Sequence, residues 1–374
     1  MAKRPTILVN HLLEPPNRIT GITRYLFALL PELVSRNTFE YVLATTWDKE
    51  TLPAAIAKSD MPVLTQRYYN SMPRNVIAQM ATIPRLIHKT RAALEFNCNP
   101  IGCVWPAWPR VITVHDLYFD LLPGQYPFRH RLWWRLFFAP ALASSSSAVC
   151  VSVNTQNDLR HFYPRLGRKG IVVHEAGTLS TELHSGASEI DKLKMNRPYA
   201  LYVGNISPNK APEVLVRALE MTQSMGHELN VYHVGRDEKG LLLEALRRSR
   251  LNRWVKSVGF LSDSALAAAY AHATCVIVTS THEGFCLPVL EAQDFGTPLI
   301  CSDIPVLREV AGQGALFFSS GDATGLAQCL ELIFGNAGTR QSVSLAAQRN
   351  AKRFSWTKAA GEIEEIFKGL INGN

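Results

Sequence analysis

From Tyr199 onward, short apolar runs rich in Val, Ile and Tyr alternate with longer stretches whose apolar residues recur every three to four positions. The first pattern marks strands buried on both faces, the second helices with one apolar side. Strands are predicted at Tyr199–Gly204, Leu229–Gly235, Val255–Phe260, Cys275–Thr279, Pro298–Cys301 and Ala315–Phe318, with helices over about 211–224, 241–248, 264–271 and 287–295 between them. Such alternation predicts right-handed β-α-β units on a parallel sheet, a doubly wound domain that takes ligands at the carboxyl ends of its strands. The first half repeats the logic less regularly, with strands predicted at Thr6–Asn10, Glu40–Ala44, Val111–His115, Val149–Val153 and Gly170–His174. Between the halves, Leu179–Met195 is polar and lacks an apolar period, which suits a linker. The expected organisation is α/β: a Rossmann-like domain over 1–180, a linker over 181–195, a second Rossmann-like domain over 196–354 and a helix at 355–374 returning toward the first. The two domains are expected to face a central cleft.

Two segments invite other readings. Arg129–Phe138 (RHRLWWRLFF) mixes basic and aromatic residues at helical spacing, as membrane-surface helices do. After Arg131 it is apolar nearly all round, which favours a helix buried against the first sheet. At the N-terminus, Lys3 and Arg4 precede the apolar run Ile7–Leu13. That run is broken by Asn10 and His11 and followed by Glu14-Pro15-Pro16, so a first strand is the better reading than a signal peptide.

Composition narrows the class. Over 374 residues, 47% are apolar and 19% charged, enough for two domains with cores of their own. No run nears the roughly 18 apolar residues of a spanning helix. The seven cysteines form no C-x-x-C pair and leave one over, against a disulfide framework or a structural zinc site, so reduced thiols in the cytosol are expected. The net charge of +8 is uneven: +9 falls on residues 1–180 and −1 on residues 181–374. A basic first half suggests an anionic partner such as a membrane surface or a lipid phosphate, or else a scattered solvated surface. No nucleic-acid motif accompanies it, so nucleic acid is not expected.

The chemistry-bearing motifs begin with absences. There is no G-x-G-x-x-G after a strand, which removes the dinucleotide fingerprint of an NAD(P)-linked oxidoreductase, and no Gly-Lys pair for a P-loop. No D-x-D occurs, the usual acidic anchor of a metal–diphosphate pair. What is present is Thr281-His282-Glu283-Gly284-Phe285-Cys286-Leu287-Pro288-Val289-Leu290-Glu291. A strand runs into a short turn and then a helix with Pro288 in its first turn, where a missing N–H costs little. The N–H groups of Phe285, Cys286 and Leu287 would point out of the helix start, a ready site for a phosphate. Glu283 lies just before that site, and Glu291 lies further into the helix. One carboxylate can face a sugar and the other can accept ribose hydroxyls.

This segment resembles the E-G-F-G-L-P…E signature of glycosyltransferase family four, the large retaining family of the GT-B architecture. The resemblance runs over essentially the whole chain in the family's order: Thr20-Gly21-Ile22-Thr23-Arg24-Tyr25, Thr113-Val114-His115-Asp116-Leu117, Tyr202-Val203-Gly204-Asn205-Ile206-Ser207-Pro208-Asn209-Lys210 and Val258-Gly259-Phe260-Leu261. It implies that Lys210 and the amides of Phe285, Cys286 and Leu287 hold a donor diphosphate, with Gly204 and Asn205 in the loop alongside. Glu291 would bind the ribose, Phe260 would lie at the base, and Gly21 would admit phosphates or acceptor where a Cβ would clash. Glu283 and His115 would be catalytic, at the transferred sugar. The sequence departs from the pattern at Asn205, where an Arg is frequent, at Asn209, where many relatives are basic, and at Cys286, which replaces the signature's second Gly.

The resemblance implies hexosyl transfer with retention, without metal or other cofactor, completed by interdomain closure. The loop at Lys210 and the His-Asp-Leu region look most like bacterial mannosyltransferases of surface-polysaccharide synthesis. That implies GDP-mannose as donor and a growing or lipid-diphosphate-linked glycan as acceptor, in the cytoplasm or peripherally on the inner membrane face. A UDP-sugar donor, and a non-catalytic nucleotide-sugar-binding regulator suggested by Asn205 and Asn209, stay open.

Overall fold

The computed structural model describes residues 4–125, 128–179, 195–224, 229–249, 251 and 253–373. The expected linker at 181–195 lies, but for Met195, outside them. The chain forms two compact units, unit 1 from residues 1–175 and 355–374, and unit 2 from residues 176–354.

Unit 1 holds a seven-stranded sheet. In chain order the strands are β1 (Thr6–His11), β2 (Glu40–Thr45), β3 (Val63–Thr65), β4 (Leu94–Asn97), β5 (Arg110–Val114), β6 (Ser147–Cys150) and β7 (Gly170–Val172). They lie in the order β3-β2-β1-β4-β5-β6-β7, all parallel. Strands β1, β4, β5 and β6 are buried throughout, which is why they read as unbroken apolar runs where polar residues do not intervene. The order reverses between β1 and β4, where doubly wound sheets open a crevice at their carboxyl ends. The helix Gly21–Arg36 starts there, its first turn capped by Thr20, whose hydroxyl accepts the Thr23 N–H at 3.1 Å.

Unit 2 repeats the plan with β8 (Tyr199–Val203), β9 (Asn230–Val234), β10 (Val255–Gly259), β11 (Cys275–Val278), β12 (Leu299–Asp303) and β13 (Ala315–Ser319). Their order is β10-β9-β8-β11-β12-β13, again all parallel, with the reversal between β8 and β11. Its core gathers Leu215, Leu219, Val231, Ile277, Ile300, Leu326 and Leu330 between sheet and helices.

Three expectations need correction. Strands β3 and β4 are not among those predicted, and β4 lies beside β1 at the centre of its sheet. The predicted strand Val149–Val153 stops at Cys150, because the Ser152 hydroxyl accepts the Thr155 N–H at 3.0 Å and starts the helix Val153–Phe162. Third, the helix Phe128–Ser144 is not buried all round. Trp134, Phe138, Ala141 and Leu142 pack into the core, whereas Phe128, Leu132 and Leu136 are exposed. Its carboxyl end is held by two cations. The buried Arg110 guanidinium donates to the Cys103 carbonyl, to Ala141 O at 2.7 Å and to Ser144 Oγ at 2.8 Å. Lys169 Nζ donates to Ala143 O and Ser145 O, each at 2.6 Å. Cations suit the partial negative charge of a helix carboxyl end, so part of unit 1's basic excess is spent inside the fold. Among the described residues, no helix is long and apolar enough to cross a membrane.

Candidate active site

In unit 2, Gly204, Lys210, Glu283 and Cys286 gather at the carboxyl ends of β8 and β11, where the strand order reverses, whereas Phe260 follows β10 at the sheet's edge. Gly204 leaves β8 at φ 126°, a conformation few side chains tolerate. Gly235 leaves β9 at φ 140°, and a Cβ there would fall 2.3 Å from Gly204 O. His233, buried on β9, bridges Gly204 O and Ser257 Oγ, each at 2.9 Å. Burial lowers its pKa, so it stays a neutral positioning ring.

The loop after β8 then turns through Pro208–Lys210 toward the loop after β11. Asn209, 5% exposed, donates from Nδ2 to His282 O at 3.0 Å, and its own carbonyl accepts the Thr281 N–H at 2.7 Å. A residue read from sequence as a missing phosphate ligand is therefore a clip between the two loops. Asn205 is exposed, and its Oδ1 accepts the Arg236 N–H at 3.0 Å, fastening this loop to the end of β9.

The clip brings Lys210 Nζ to 2.5 Å from Glu283 Oε1, and Ser280 Oγ donates to the same oxygen at 2.6 Å. Both side chains are mostly buried, at 19% and 8% exposure. Burial works to lower the Lys210 pKa, but the Glu283 carboxylate outweighs it and holds the ammonium above its ordinary value. The sequence reading gave these two residues separate partners; the structure makes them a pair.

Cys286, before the helix Leu287–Asp294, has φ 78° and ψ 69°, the left-handed region. This explains why glycine suits the position, and a non-glycine residue there stores roughly 1–2 kcal/mol of strain. The thiol is buried, and burial together with the nearby Glu283 carboxylate raises its pKa, so it is inert. The helix start carries no side-chain cap. Phe285 is buried edge-on to Phe354, so only its main chain is available to a ligand. Glu291, 3% exposed, accepts from Thr178 Oγ1 at 2.5 Å and Tyr270 OH at 3.0 Å. Phe260 is exposed after β10, with the Arg236 guanidinium 4.8 Å above its ring.

In unit 1, His115 follows β5. Its Nε2 lies 3.0 Å from Cys98 O and its Nδ1 3.2 Å from Glu175 Oε1, with the Tyr25 ring edge-on at 5.0 Å. A carbonyl can only accept, so Nε2 carries a hydrogen, and Nδ1 faces the Glu175 carboxyl group. Burial lowers the His115 pKa, but the hydrogen bond and charge of Glu175 override it and the pKa rises. Glu175 went unread in the sequence, although it stands just past the predicted strand Gly170–His174. Gly21 begins its helix with nothing within 4 Å of a Cβ built on it, so no neighbour among the described residues demands a glycine there.

The chain is similar to known proteins in sequence and in fold. Residues 187–350 match the family described as Glycosyl transferases group 1. The chain is 29% identical over 175 residues to the Escherichia coli O-antigen chain mannosyltransferase B, covering 46% of each chain. It is 29% identical over 181 residues to a D-inositol 3-phosphate glycosyltransferase of Salinispora tropica, covering 44% of this chain and 37% of that one. The chain thus spans less than half the length of these relatives. In structure it is similar to Anabaena HepE in complex with UDP-glucose, with TM-score 0.76 and 18% identity over 98% of this chain and 100% of the other. Residues 187–350 thus match the Glycosyl transferases group 1 family, and the chain has the two-unit α/β fold of the GT-B proteins.

Proposed function

We propose that the protein is a retaining hexosyltransferase that moves mannose from GDP-mannose to a growing or lipid-diphosphate-linked surface glycan. The observation that carries this reading is the Lys210–Glu283 pair at the strand-order reversal of unit 2, inside the family-matched region. Lys210 meets the diphosphate as a fixed point charge, helped by the amides at Cys286 and Leu287, so the leaving group is stabilised electrostatically. Glu283 then orients the transferred sugar, Glu291 the ribose and Phe260 the base. His115 would face the sugar, provided the ligand displaces one of its two present partners. A lipid-linked acceptor and the net charge of +9 on residues 1–180 support a cytoplasmic setting at an anionic inner membrane face.

Mannose is supported by the O-antigen relative. A UDP-sugar donor is the second reading, supported by the UDP-glucose complex among the structural neighbours. Thermal unfolding with GDP, UDP, dTDP and ADP sugars tests the donor, since a ligand of the folded state raises the midpoint. A shift with GDP-mannose alone supports the first reading, and one confined to UDP sugars replaces it. Slow hydrolysis of the effective donor by purified protein separates an enzyme from a non-catalytic binder, which should show none.

Two expected results follow. Transfer should persist at comparable level after exhaustive chelation, because the chain has no D-x-D and Lys210 carries the phosphate charge. Complete loss restored by magnesium or manganese would overturn the phosphate chemistry. Gly21→Ala should leave the unfolding midpoint unchanged or slightly raised, since a helical Ala is favoured over Gly by up to about 1 kcal/mol. Transfer should nevertheless fall, because the open space above Gly21 is where ligand is expected. Unaltered kinetics would remove Gly21 from the site.

A further inference from the structure

We infer that the face of the helix Phe128–Ser144 bearing Phe128, Leu132 and Leu136 is the surface by which unit 1 rests on an anionic lipid bilayer. The three residues step by four along the helix and so form one row, with exposures of 73%, 45% and 57%. Beside them Trp133 and Phe137 are partly exposed, their rings stacked at 4.5 Å. The opposite face is fixed in the core by Trp134, Phe138 and Leu142, and the carboxyl end is clamped by Arg110 and Lys169. The row is therefore held outward by packing rather than left over from a loose element. An exposed apolar row of this kind marks an interaction surface.

Charge selects the occupant. The helix carries Arg129, Arg131 and Arg135 and no acidic residue, within a half of the chain whose net charge is +9. A second copy of the chain would bring like charges together across the contact. An anionic bilayer complements them, taking the apolar side chains below its headgroups and the largely exposed Arg135 guanidinium, whose Nε lies 3.4 Å from Asp120 Oδ1, at its phosphates. This assignment rests on the reading of an anionic partner for unit 1 and names the element that meets it.

The test is co-sedimentation of the full chain with vesicles of neutral phosphatidylcholine or of phosphatidylcholine mixed with phosphatidylglycerol, at low and high salt. Wild-type protein should bind the mixed vesicles at low salt and leave them at high salt. The double variant Leu132→Ser/Leu136→Ser should bind at least about tenfold more weakly. A control, Leu243→Ser/Leu332→Ser, alters two exposed leucines of unit 2 and should bind as wild type. Both variants change exposed positions, and unchanged unfolding midpoints would confirm that they fold. If the first variant binds like wild type, the helix is not the contact, although the anionic-surface reading survives. If no protein binds at low salt, both fail. A wild-type dimer in solution that Leu132→Ser/Leu136→Ser disrupts would instead give the row to a second copy.

Discussion

Glu283→Ala is expected to abolish transfer, by on the order of a thousandfold in kcat, whereas Glu291→Ala should chiefly raise the donor KM. The difference follows from placement. Glu283 sits in the loop after β11, paired with Lys210 at 2.5 Å, where sugar and diphosphate are proposed to meet. Glu291 lies deeper on its helix, accepting from Thr178 and Tyr270, where a ribose hydroxyl would join an existing hydrogen-bond set. Alanine at 283 also leaves a largely buried ammonium without its partner, a destabilising change in itself. Glu283→Gln keeps an acceptor for Lys210 and Ser280, so it separates fold from chemistry. It should retain the unfolding midpoint and donor-induced stabilisation yet remain nearly inactive. Equal and small losses in Glu283→Ala and Glu291→Ala, or full activity in Glu283→Gln, would sink the assignment.

Acid should unfold unit 1 through His11. This side chain ends β1 with no exposure, its Nδ1 3.1 Å from Thr45 Oγ1 and its Nε2 without a hydrogen-bond partner among the described residues. Burial against Phe27 and Trp47 pushes its pKa down to about 3 from 6.5. Between those values the unfolded chain binds a proton that the folded one refuses, so the contribution is whole above pH 6.5 and is lost as pH falls toward 3. A shift of that size is on the order of 5 kcal/mol at full effect. His115 acts in the opposite sense: with its pKa raised by Glu175, its contribution is present at low pH and fades as pH rises through the folded value. Chemical denaturation of wild type and His11→Gln across this range measures the effect as a difference, which removes the carboxylates common to both. The stability of His11→Gln relative to wild type should rise steadily toward acid. Parallel loss of stability would clear His11.

The parts of the fold legible in the sequence are those where burial and residue type agree. From β8 onward each strand is a run of Val, Ile, Leu or Tyr bounded by turns, and the alternation with helices fixes a doubly wound sheet. Strand β4 breaks that agreement. Its sequence, Leu94-Glu95-Phe96-Asn97, carries a fully buried carboxylate tolerated only because Asn10 and Trp108 each donate to it at 2.9 Å. No local pattern announces donors 85 residues before and 13 after. The site shows the same division. Glu283, Gly284 and Pro288 are contiguous, so their turn-and-helix geometry could be read directly. The Lys210–Glu283 pair and the Asn209 clip span 73 residues each and exist only once β8 and β11 are neighbours. The helix Phe128–Ser144 misled for a third reason. Its apolar residues surround it, but the fold supplies a partner on one side only.

The last helix, Trp356–Asn372, belongs to unit 1, although the whole of unit 2 precedes it in the chain. Its Glu364 is fully buried and accepts from Arg36 Nε at 2.8 Å, Thr38 Oγ1 at 2.9 Å and Tyr41 OH at 3.1 Å. Phe367 wedges between Phe39 and Phe96, and Trp356 meets Tyr25. Such contacts are unmade while the chain is still emerging from the ribosome. Unit 2 can therefore close first, while unit 1 waits with an open groove along its first helix and second strand until this helix has been made. In that interval Arg36, Phe39 and Phe96 face solvent or a chaperone. Damage confined to this seventeen-residue helix would accordingly be felt by the half of the protein made first.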